Sequence, residues 1–258
     1  MLKLEGISAG YGKQAVLENV SLDFSSGKIY GILGKNGCGK STLLKACADM
    51  IPVSSGNIIL KGKNLTEYQP LERARLISYL SQHRNTPNIT VERLLIHGRH
   101  PYMTHLKQMR QEDRDMLEHV MDLMEIREFR DHTLGTLSGG ERQRVYLAML
   151  LAQDTPVVLL DEPTTYMDIA YQLQFLQLVQ TLKEQGKLVV MVLHDINQTM
   201  RISDQIVLMD KGKIVMQDTP KEVLRSQKLQ QVFGICITPC GEAGRELLDL
   251  RLLGDTNL

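Results

Sequence analysis

A glycine- and lysine-rich run near the start of the chain has the residue types and spacing of a phosphate-binding loop. The run GKNGCGKS spans residues 34–41, with the apolar segment YGIL before it and the helical pattern STLLKAC after it. Glycines let backbone N–H groups curl around phosphate oxygens, and the positive end of a following helix adds to the attraction. Lys40 is expected to reach the β and γ phosphates of a nucleotide, and the Ser41 hydroxyl to coordinate Mg²⁺. The alternative, a plain glycine turn, leaves the flanking strand and helix unexplained.

Two adjacent acids end a second apolar segment. The sequence VVLLDEP, residues 157–163, is typical of a buried parallel strand that finishes in Asp161 and Glu162. Asp161 is predicted to join the Mg²⁺ shell. Because adjacent side chains on a strand diverge, Glu162 can face the water that attacks the γ phosphate, either as general base or by positioning that water. A pair of surface acids at a strand end is the alternative.

A second glycine-rich element, LSGGERQ at residues 137–143, precedes another helical pattern. Ser138 is a preferred N-cap residue, and Glu141 stands three positions later, where a capping box requires it. The alternative is a capped helix with no ligand. Such a helix does not need Gly139 and Gly140, which cost about 1 kcal/mol each where helix interior follows. The pair therefore indicates that a ligand or partner approaches this backbone closely.

Three further residues stay undecided on spacing alone. His194 ends the apolar strand pattern LVVMVLH, where a histidine is as often structural as functional. Gln82 and Tyr11 lie in the segments ISYLSQ and GYGK, and without further context both are interpreted as ordinary turn or surface residues. The chain has no Trp and 4 Phe, so Tyr11 is one of few aromatic residues able to stack on a base.

Short apolar runs alternate with helical patterns along much of the chain, which predicts an α/β fold with a mainly parallel sheet. Before the first glycine-rich loop, MLKLEG and AVLENVSLDF are predicted to pair as antiparallel strands. Between residues 84 and 136 the strand pattern stops, and VERLLIHGR and EDRDMLEHVMDLMEI predict an inserted helical segment.

The segment from Asp168 to Gln185 has the periodicity of a helix that covers one face of the sheet. The residues predicted to form its buried face are Ile169, Leu173, Leu176, Val179 and Leu182. The chain beyond residue 218 is expected to be a short extension that packs on the core and ends in disorder.

Composition limits the classes of function. Lys plus Arg and Asp plus Glu number 30 each, so the formal net charge is zero, which disfavours a general nucleic-acid binder. The apolar runs fall far short of the ~18 residues of a spanning helix, and no secretory signal pattern is present, so a cytoplasmic location is expected. Cys38, Cys47, Cys236 and Cys240 show no zinc spacing and are predicted to be free thiols.

Taken together, these motifs resemble the ATP-binding subunits of ABC transporters, in order and over nearly the whole chain. The resemblance implies a P-loop NTPase fold with an N-terminal antiparallel β subdomain and an inserted α-helical subdomain. It implies a core of residues 1–83 and 137–218, a helical subdomain at 84–136 and an extension at 219–258. It also assigns Glu162 as catalytic glutamate, His194 as switch histidine and Gln82 as a metal-linking glutamine. The implied ATP contacts are Tyr11, Gly34, Asn36, Gly37, Cys38, Gly39, Lys40, Ser41 and Thr42.

In this family two subunits dimerise head to tail, so the resemblance implies that each ATP site is shared by two chains. The metal shell would consist of Ser41, Gln82 and Asp161, with Asp168 in the loop that follows the catalytic glutamate. The residues implied to act on the ATP held by the second copy are Ser138, Gly139, Gly140 and Gln143.

The segments DEPTTYMDI, LHDINQ and GRHPY look most like the importers for ferric siderophores, heme and cobalamin, especially the ferric dicitrate and ferrichrome type. That resemblance implies two permease subunits, an extracytoplasmic binding protein and a place on the cytoplasmic face of the inner membrane. The same machinery for heme or cobalamin, or a soluble ABC protein acting on DNA or the ribosome, are the alternatives. The balanced charge and the lack of a second cassette disfavour the soluble class.

Overall fold

Three β-sheets organise the part of the chain that the computed structural model describes, namely residues 1–12, 14–82, 86–103, 109–240 and 247–252. The strands are β1 (Leu2–Tyr11), β2 (Gln14–Phe24), β3 (Ile29–Leu33), β4 (Val53–Leu60), β5 (Lys63–Asn64), β6 (Ile77–Leu80), β7 (Val157–Asp161), β8 (Leu188–Val192), β9 (Gln205–Asp210), β10 (Lys213–Asp218), β11 (Ile235–Cys240) and β12 (Leu247–Leu252). The helices are α1 (Lys40–Cys47), α2 (Pro70–Ala74), α3 (Val91–Arg99), α4 (Gln111–Leu123), α5 (Gly139–Ala152), α6 (Ile169–Glu184), α7 (Ile196–Ile202), α8 (Pro220–Arg225) and α9 (Lys228–Phe233).

The central sheet has six strands in the order β10-β9-β3-β8-β7-β6. All neighbouring pairs from β9 to β6 are parallel, and β10 joins the edge antiparallel to β9. Every residue of β3, β7 and β8 is buried, which explains why these strands are continuous apolar runs instead of alternating patterns. The predicted α/β class with a mainly parallel sheet is confirmed.

The N-terminal strands form a separate antiparallel sheet in the order β2-β1-β4-β5. The predicted pairing of β1 with β2 is confirmed, with Leu2 opposite Phe24 and Tyr11 opposite Gln14. Its buried residues share one apolar cluster with α1 and with one face of the central sheet. This shared core fixes Tyr11, at the end of β1, relative to the loop that precedes α1.

The segment of residues 84–136 contains helices α3 and α4, as predicted for an inserted helical segment, and α5 follows it before β7. Residues 84–85 and 104–108 of that segment lie outside the described residues. Leu117, Val120 and Met121 of α4 are buried in a second apolar cluster that covers the opposite face of the central sheet. A buried ion pair of 2.8 Å between Arg99 and Asp113 joins α3 to α4. The predicted boundaries of the subdomains stay predictions.

Helix α6 has the predicted bounds, with Asp168 as N-cap and Gln185 as C-cap, but the predicted buried face is wrong in part. Phe175, Val179 and Leu182 are the buried residues of the helix. Ile169 and Leu173 are instead 77% and 54% exposed. Both residues come before Phe175, the first buried residue of α6. Periodicity indicates which residues share a helix face, but not how far along the helix that face is covered.

The expectation of disorder near the end of the chain is wrong for residues 235–240 and 247–252, which form the paired strands β11 and β12. Helices α8 and α9 precede these strands in the extension. Val223, Leu229, Val232, Ile237 and Leu248 join a third apolar cluster with α7 and β9. Among the described cysteines, Cys38, Cys47 and Cys236 are free, as predicted. None of the helices within the described ranges has the length and apolarity that crossing a membrane requires.

Gly31 of β3 faces α7 at a close approach, which yields a stability prediction. A Cβ at this position would clash with the side chains of Thr199 and Ser203. Gly31→Val should therefore destabilise the fold by about 1–3 kcal/mol through overpacking. We expect the melting temperature to fall by roughly 3–10 °C in a thermal unfolding experiment. Gly135→Ala is the matched control, since a Cβ at residue 135 has no neighbour within 4 Å. Equal melting temperatures for both variants would contradict this account of the packing.

Candidate active site

The loop of residues 34–41 connects the buried end of β3 to the start of α1. Gly39, the residue before α1, has φ +107°, a backbone conformation that side chains with a Cβ rarely adopt. The Lys40 ammonium group lies back over the loop and donates hydrogen bonds to the carbonyl oxygens of Gly34 at 2.8 Å and Lys35 at 3.0 Å. Asn36 and Gly37 are exposed, and Cys38 and Thr42 are buried. The loop thus places one cation and the first amides of α1 around a single concave surface.

Asp161 is the last residue of β7 and is 1% exposed. Its Oδ1 accepts a hydrogen bond of 3.1 Å from the Ser41 hydroxyl, and its Oδ2 accepts one of 3.2 Å from the Tyr79 hydroxyl. Burial raises the pKa of the Asp161 carboxyl, while the hydrogen bonds from Ser41 and Tyr79 act in the opposite direction. Desolvation by burial is the largest of these influences, so burying the ionised carboxylate costs folding free energy.

The two oxygen donors fit Mg²⁺, which prefers hard ligands and is usually held by one or two carboxylates together with substrate phosphates. Within the described ranges no group of three or more His, Cys, Asp or Glu residues could hold a metal ion. A metal at Ser41 and Asp161 would therefore need further oxygen ligands, such as the Gln82 carbonyl and the phosphate oxygens of a nucleotide.

Glu162 follows Asp161, and its side chain meets two of the residues that spacing alone left undecided. The Gln82 amide nitrogen donates to Oε2 of Glu162, and the His194 Nε2 lies 2.6 Å from the same oxygen. Gln82 thereby keeps its carbonyl oxygen as the atom that could face a metal. The backbone of Glu162 has φ +50°, uncommon outside glycine, and its N–H donates to the Val192 carbonyl at 3.1 Å. The two adjacent carboxylates, Asp161 and Glu162, thus have different partners.

A cavity of about 260 Å³ brings these groups together. The lining consists of Val16, Asn36, Gly37, Gly39, Lys40, Ser41, Thr42, Gln82, Glu162 and His194. The phosphate loop, Glu162 and His194 therefore line one cavity, which can hold a phosphate chain beside a base. A larger cavity of about 550 Å³, between α4, α5 and α6, is mostly apolar and contains neither the loop nor Glu162. We place the chemistry in the smaller, polar cavity because its groups can bind phosphate.

The second glycine-rich element begins α5 away from this cavity. Ser138 is the N-cap, its Oγ accepts from the Glu141 N–H at 3.3 Å, and Glu141 Oε2 accepts from the Ser138 N–H at 2.7 Å. The predicted capping box is confirmed. Hydrogen bonding by the Ser138 backbone N–H, and secondarily by the Ser138 side chain, lowers the pKa of the Glu141 carboxyl. Ser138 is exposed and Gly139 and Gly140 are half-buried, so the start of α5 is open to a ligand.

Gln143 differs from the residues at the start of α5. It is 6% exposed, and its amide donates to the Pro163 carbonyl of the same chain. Tyr166, in the loop between β7 and α6, is 77% exposed and lies against Gly139, where an added Cβ would be 3.4 Å from the Cβ of Tyr166. Gln143 and Tyr166 thus connect the start of α5 to the loop after Glu162.

Two other predicted residues lie at the margins of the site. Tyr11 is 49% exposed, with the Lys45 ammonium 5.7 Å from the centre of its ring, and it does not line the cavity. Asp168 is exposed, and its Oδ1 accepts the Tyr171 N–H of the first turn of α6 at 2.9 Å. Asp168 therefore serves as a helix cap within its own chain.

Sequence reasoning missed Tyr79 and Val16. Tyr79 hydrogen-bonds Asp161 from β6, the parallel neighbour of β7, where Tyr79 pairs with Leu159. The pairing of those two strands would have identified it, but a lone tyrosine in ISYL carries no local signal. Burial is the main cause that raises the pKa of the Tyr79 hydroxyl, which therefore stays protonated as a donor.

Comparison with known proteins agrees with this arrangement. Residues 17–165 match the ABC transporter family. The ferric enterobactin transport ATP-binding protein FepC of Escherichia coli (strain K12) is 39% identical over 236 residues, which are 91% of this chain and 87% of FepC. The iron(3+)-hydroxamate import ATP-binding protein FhuC of Bacillus subtilis (strain 168) is 37% identical over 91% of this chain and 88% of that protein. The chain belongs to the ABC transporter family, as an ATP-binding subunit that hydrolyses ATP.

Solved structures share the fold. The dimeric post-hydrolysis state of the ATP-binding cassette MJ0796, bound to ADP and Pi, superposes with a TM-score of 0.76 at 27% identity and covers 85% of this chain and 99% of that chain. A structure assigned to a metal-chelate type ABC transporter, in an inward-facing conformation, gives a TM-score of 0.81 at 25% identity over 99% of this chain and 98% of that chain. The predicted P-loop ABC ATPase fold is confirmed.

The buried position of Asp161 predicts a pH-dependent gain in stability when its charge is removed. A carboxyl whose pKa is higher in the folded than in the unfolded chain adds stability below the unfolded pKa, and this contribution is lost as the pH rises through the folded pKa. At pH 7 the ionised Asp161 therefore destabilises the nucleotide-free fold. Asp161→Asn should raise the melting temperature at pH 7, and the gain should shrink as the pH is lowered towards 4.

Thermal unfolding without nucleotide across that pH range measures the effect. The exposed residue Asp131 provides the control variant, Asp131→Asn, which should show no such gain. A lower melting temperature for Asp161→Asn than for the unchanged chain at pH 7 would show that hydrogen bonds, and not burial, dominate at this carboxylate.

Proposed function

We propose that this chain powers an importer whose cargo is an iron(III)-siderophore. The observation that carries the proposal is the agreement among relatives: FepC and FhuC are named for ferric enterobactin and for iron(3+)-hydroxamate. The petrobactin import ATP-binding protein FpuD of Bacillus anthracis is a third, 37% identical over 90% of this chain and 86% of that protein. Their cargoes are chemically different iron chelates, so the similarity supports the class of cargo and leaves the individual siderophore open.

On this proposal the phosphate loop holds the triphosphate through its amides and Lys40. Lys40 now donates to two loop carbonyls, and those hydrogen bonds would be exchanged for charge-assisted bonds to the β and γ phosphates. Ser41, Asp161 and the carbonyl oxygen of Gln82 would hold Mg²⁺. When bound, Mg²⁺ supplies positive charge at the phosphate oxygens.

Glu162 is proposed as the base or positioning group for the attacking water. Its Oε2 receives contacts from Gln82 and His194, which fix the direction of the carboxylate. The water oxygen would form the new bond to the γ phosphorus while its proton moves to Glu162, and the bond to the β-phosphate oxygen would break to release ADP. His194, whose side chain is 64% exposed, would turn to the γ phosphate.

The start of α5 is proposed to act on ATP held by a second copy of the chain. The N-terminus of α5 can attract an anion, as helix N-termini do. The cavity of the same chain is lined by none of the residues at this end, Ser138, Gly139 and Gly140. The dimeric structures of MJ0796 support such an association for a related fold. The buried Gln143 would contribute indirectly, by holding the loop at Pro163.

The remaining partners follow from the importer relatives. We propose that two copies of the chain attach to two permease subunits at the cytoplasmic face of the membrane, with the helical segment of residues 84–136 as the region that docks. An extracytoplasmic binding protein would deliver the cargo to the permeases without touching this chain. Nucleic acid has no part in this proposal, in line with the zero net charge.

Gly139→Asp tests the shared site. An added Cβ would meet Tyr166 at 3.4 Å, an ordinary contact, so the variant should fold and its own loop should bind ATP nearly as before. Turnover should fall by about 10²-fold or more, because the new carboxylate would face the γ phosphate of the partner. ATP binding by fluorescence and steady-state hydrolysis measure the two quantities. Gly135→Asp adds the same charge four residues earlier, outside α5, and should retain turnover. Full hydrolysis by Gly139→Asp would contradict the two-chain site.

Uptake of labelled iron tests the cargo. A strain that lacks this chain should lose uptake of at least one ⁵⁵Fe-siderophore from a panel of catecholate, hydroxamate and carboxylate types. The unchanged chain should restore uptake, and Glu162→Gln, which lacks the base, should not. Uptake of heme and of labelled cobalamin is measured in the same strains. Loss of heme or cobalamin uptake, with every siderophore unaffected, would contradict the proposed class of cargo.

A further inference from the structure

Helix α7 begins directly after His194 and has only seven residues, Ile196–Ile202. A helix this short has little stability of its own, so tertiary contacts must set its position. Asp195 caps it by accepting the Gln198 N–H at 3.2 Å. The cap fixes the first turn to Asp195 but does not fix the helix relative to the sheet.

Asn197, in the first turn of α7, makes two hydrogen bonds to one residue of the C-terminal strand β12. Its Nδ2 donates to the Leu248 carbonyl at 3.2 Å, and its Oδ1 accepts the Leu248 N–H at 2.7 Å. Leu248 stands opposite Pro239 of β11 in the antiparallel pair. Because both backbone groups of Leu248 are engaged by Asn197, they face away from β11. The amide of Asn197 thus occupies the open edge of β12 as a further strand would.

Apolar contacts support the same junction. Ile196 and Met200 of α7 belong to one cluster with Ile237 of β11 and Leu248 of β12. Apolar packing alone lets a short helix slide or rotate at small cost, whereas a pair of directional hydrogen bonds fixes its place along the strand. An apolar side chain at residue 197 would also leave the N–H and C=O of Leu248 without these partners.

The C-terminal extension also reaches the active site. Phe233, the last residue of α9, lines a cavity of about 250 Å³ together with Lys35, Asn36, Lys40 and His194. His194 stands three residues before Asn197, outside the helix, and its imidazole is largely exposed while it contacts Glu162. The backbone from His194 to Asn197 therefore decides where the imidazole can reach, and β12 holds one end of that backbone.

We propose that Asn197 is a positioning residue for His194 and that the strand pair β11–β12 is part of the hydrolytic machinery through it. The inference rests on the proposed role of His194 at the γ phosphate. It gives the extension of residues 219–258 a task that sequence reasoning did not assign. Asn197 lines neither of the two cavities at the phosphate loop, so its removal should act on turnover and not on nucleotide affinity.

Steady-state ATP hydrolysis by the full-length chain tests this in a double-mutant cycle. Asn197→Leu, which removes both hydrogen bonds at similar volume, should lower kcat roughly 3- to 10-fold and change KM for ATP less than about 2-fold. Asn197→Asp retains the acceptor for the Leu248 N–H and should fall between Asn197→Leu and the unchanged chain. In the His194→Ala background, Asn197→Leu should cause no further loss, because the two residues act through one group.

Gln230→Leu is the matched control. Gln230 Oε1 accepts the Ile237 N–H at 3.3 Å, so this variant loses an amide contact to the same strand pair without touching α7. Its kcat should stay within about 2-fold of the unchanged chain. An equal loss for Gln230→Leu, or losses that multiply in the double variant, would overturn the positioning role and indicate a general loss of packing.

The cycle also separates the two proposals. If His194→Ala itself retains full turnover, the proposed role of His194 fails. If His194→Ala loses turnover while Asn197→Leu and Asn197→Asp both retain it, the role of His194 stands and the inference about Asn197 fails. Should Asn197→Leu not fold, the intermediate kcat expected of Asn197→Asp still decides the question.

Discussion

Parallel pairing of four short, buried strands is the constraint on which the site depends. The register places Ile32 beside Val192, Asp161 beside Val192 and Leu80 beside Leu160. Because the carboxyl ends of parallel strands meet at one edge of a sheet, the segments that follow β3, β6, β7 and β8 must converge there. The phosphate loop, Gln82, Glu162 and His194 are the residues that these segments supply. No contact among them is local in sequence.

The site is held at some cost to the fold. Asp161 is a buried carboxylate whose pKa burial raises, and Glu162 adopts a backbone conformation that non-glycine residues seldom take. The stability of the fold explains neither the buried carboxylate nor the unusual backbone conformation. Both features place acidic side chains where a metal and a water would act. The capped start of α5 is open to solvent and lies outside the phosphate cavity of its own chain, which is why we propose that it acts on the ATP held by a second copy. The loop between β7 and α6, through Pro163 and Tyr166, links the two halves within one chain.

Local patterns sufficed for the elements with strong signals. The phosphate loop, the strand that ends in Asp161, the capping box at Ser138 and Glu141, and the bounds of α6 could all be predicted, because each depends on residues close together in sequence. The contacts of Glu162 with Gln82 and His194 could not, since they join positions 80 and 32 residues apart. The resemblance to a family supplied those roles, while spacing left them open.

Other features could not be predicted because they also depend on contacts between segments that are far apart in the sequence. Ile169 and Leu173 have the periodicity of the buried face of α6 and are exposed, because periodicity does not show which turns of a helix its neighbours cover. The strands β11 and β12 are short, and they gain their stability from α7 and α9 instead of from their own sequence. The buried amide of Gln143 is satisfied by the Pro163 carbonyl, a contact between segments that lie on either side of β7 in the chain.

The most direct test of the central claim is an ATP- and Mg²⁺-bound structure of the full-length Glu162→Gln variant, which should bind ATP without turning it over. The account predicts a pair of chains in which Ser138 Oγ and the Gly140 N–H of one copy lie at hydrogen-bonding distance, about 3 Å, from the γ phosphate in the loop of the other. A γ phosphate enclosed by a single chain, with Ser138 and Gly140 of every copy remote from it, would contradict the account.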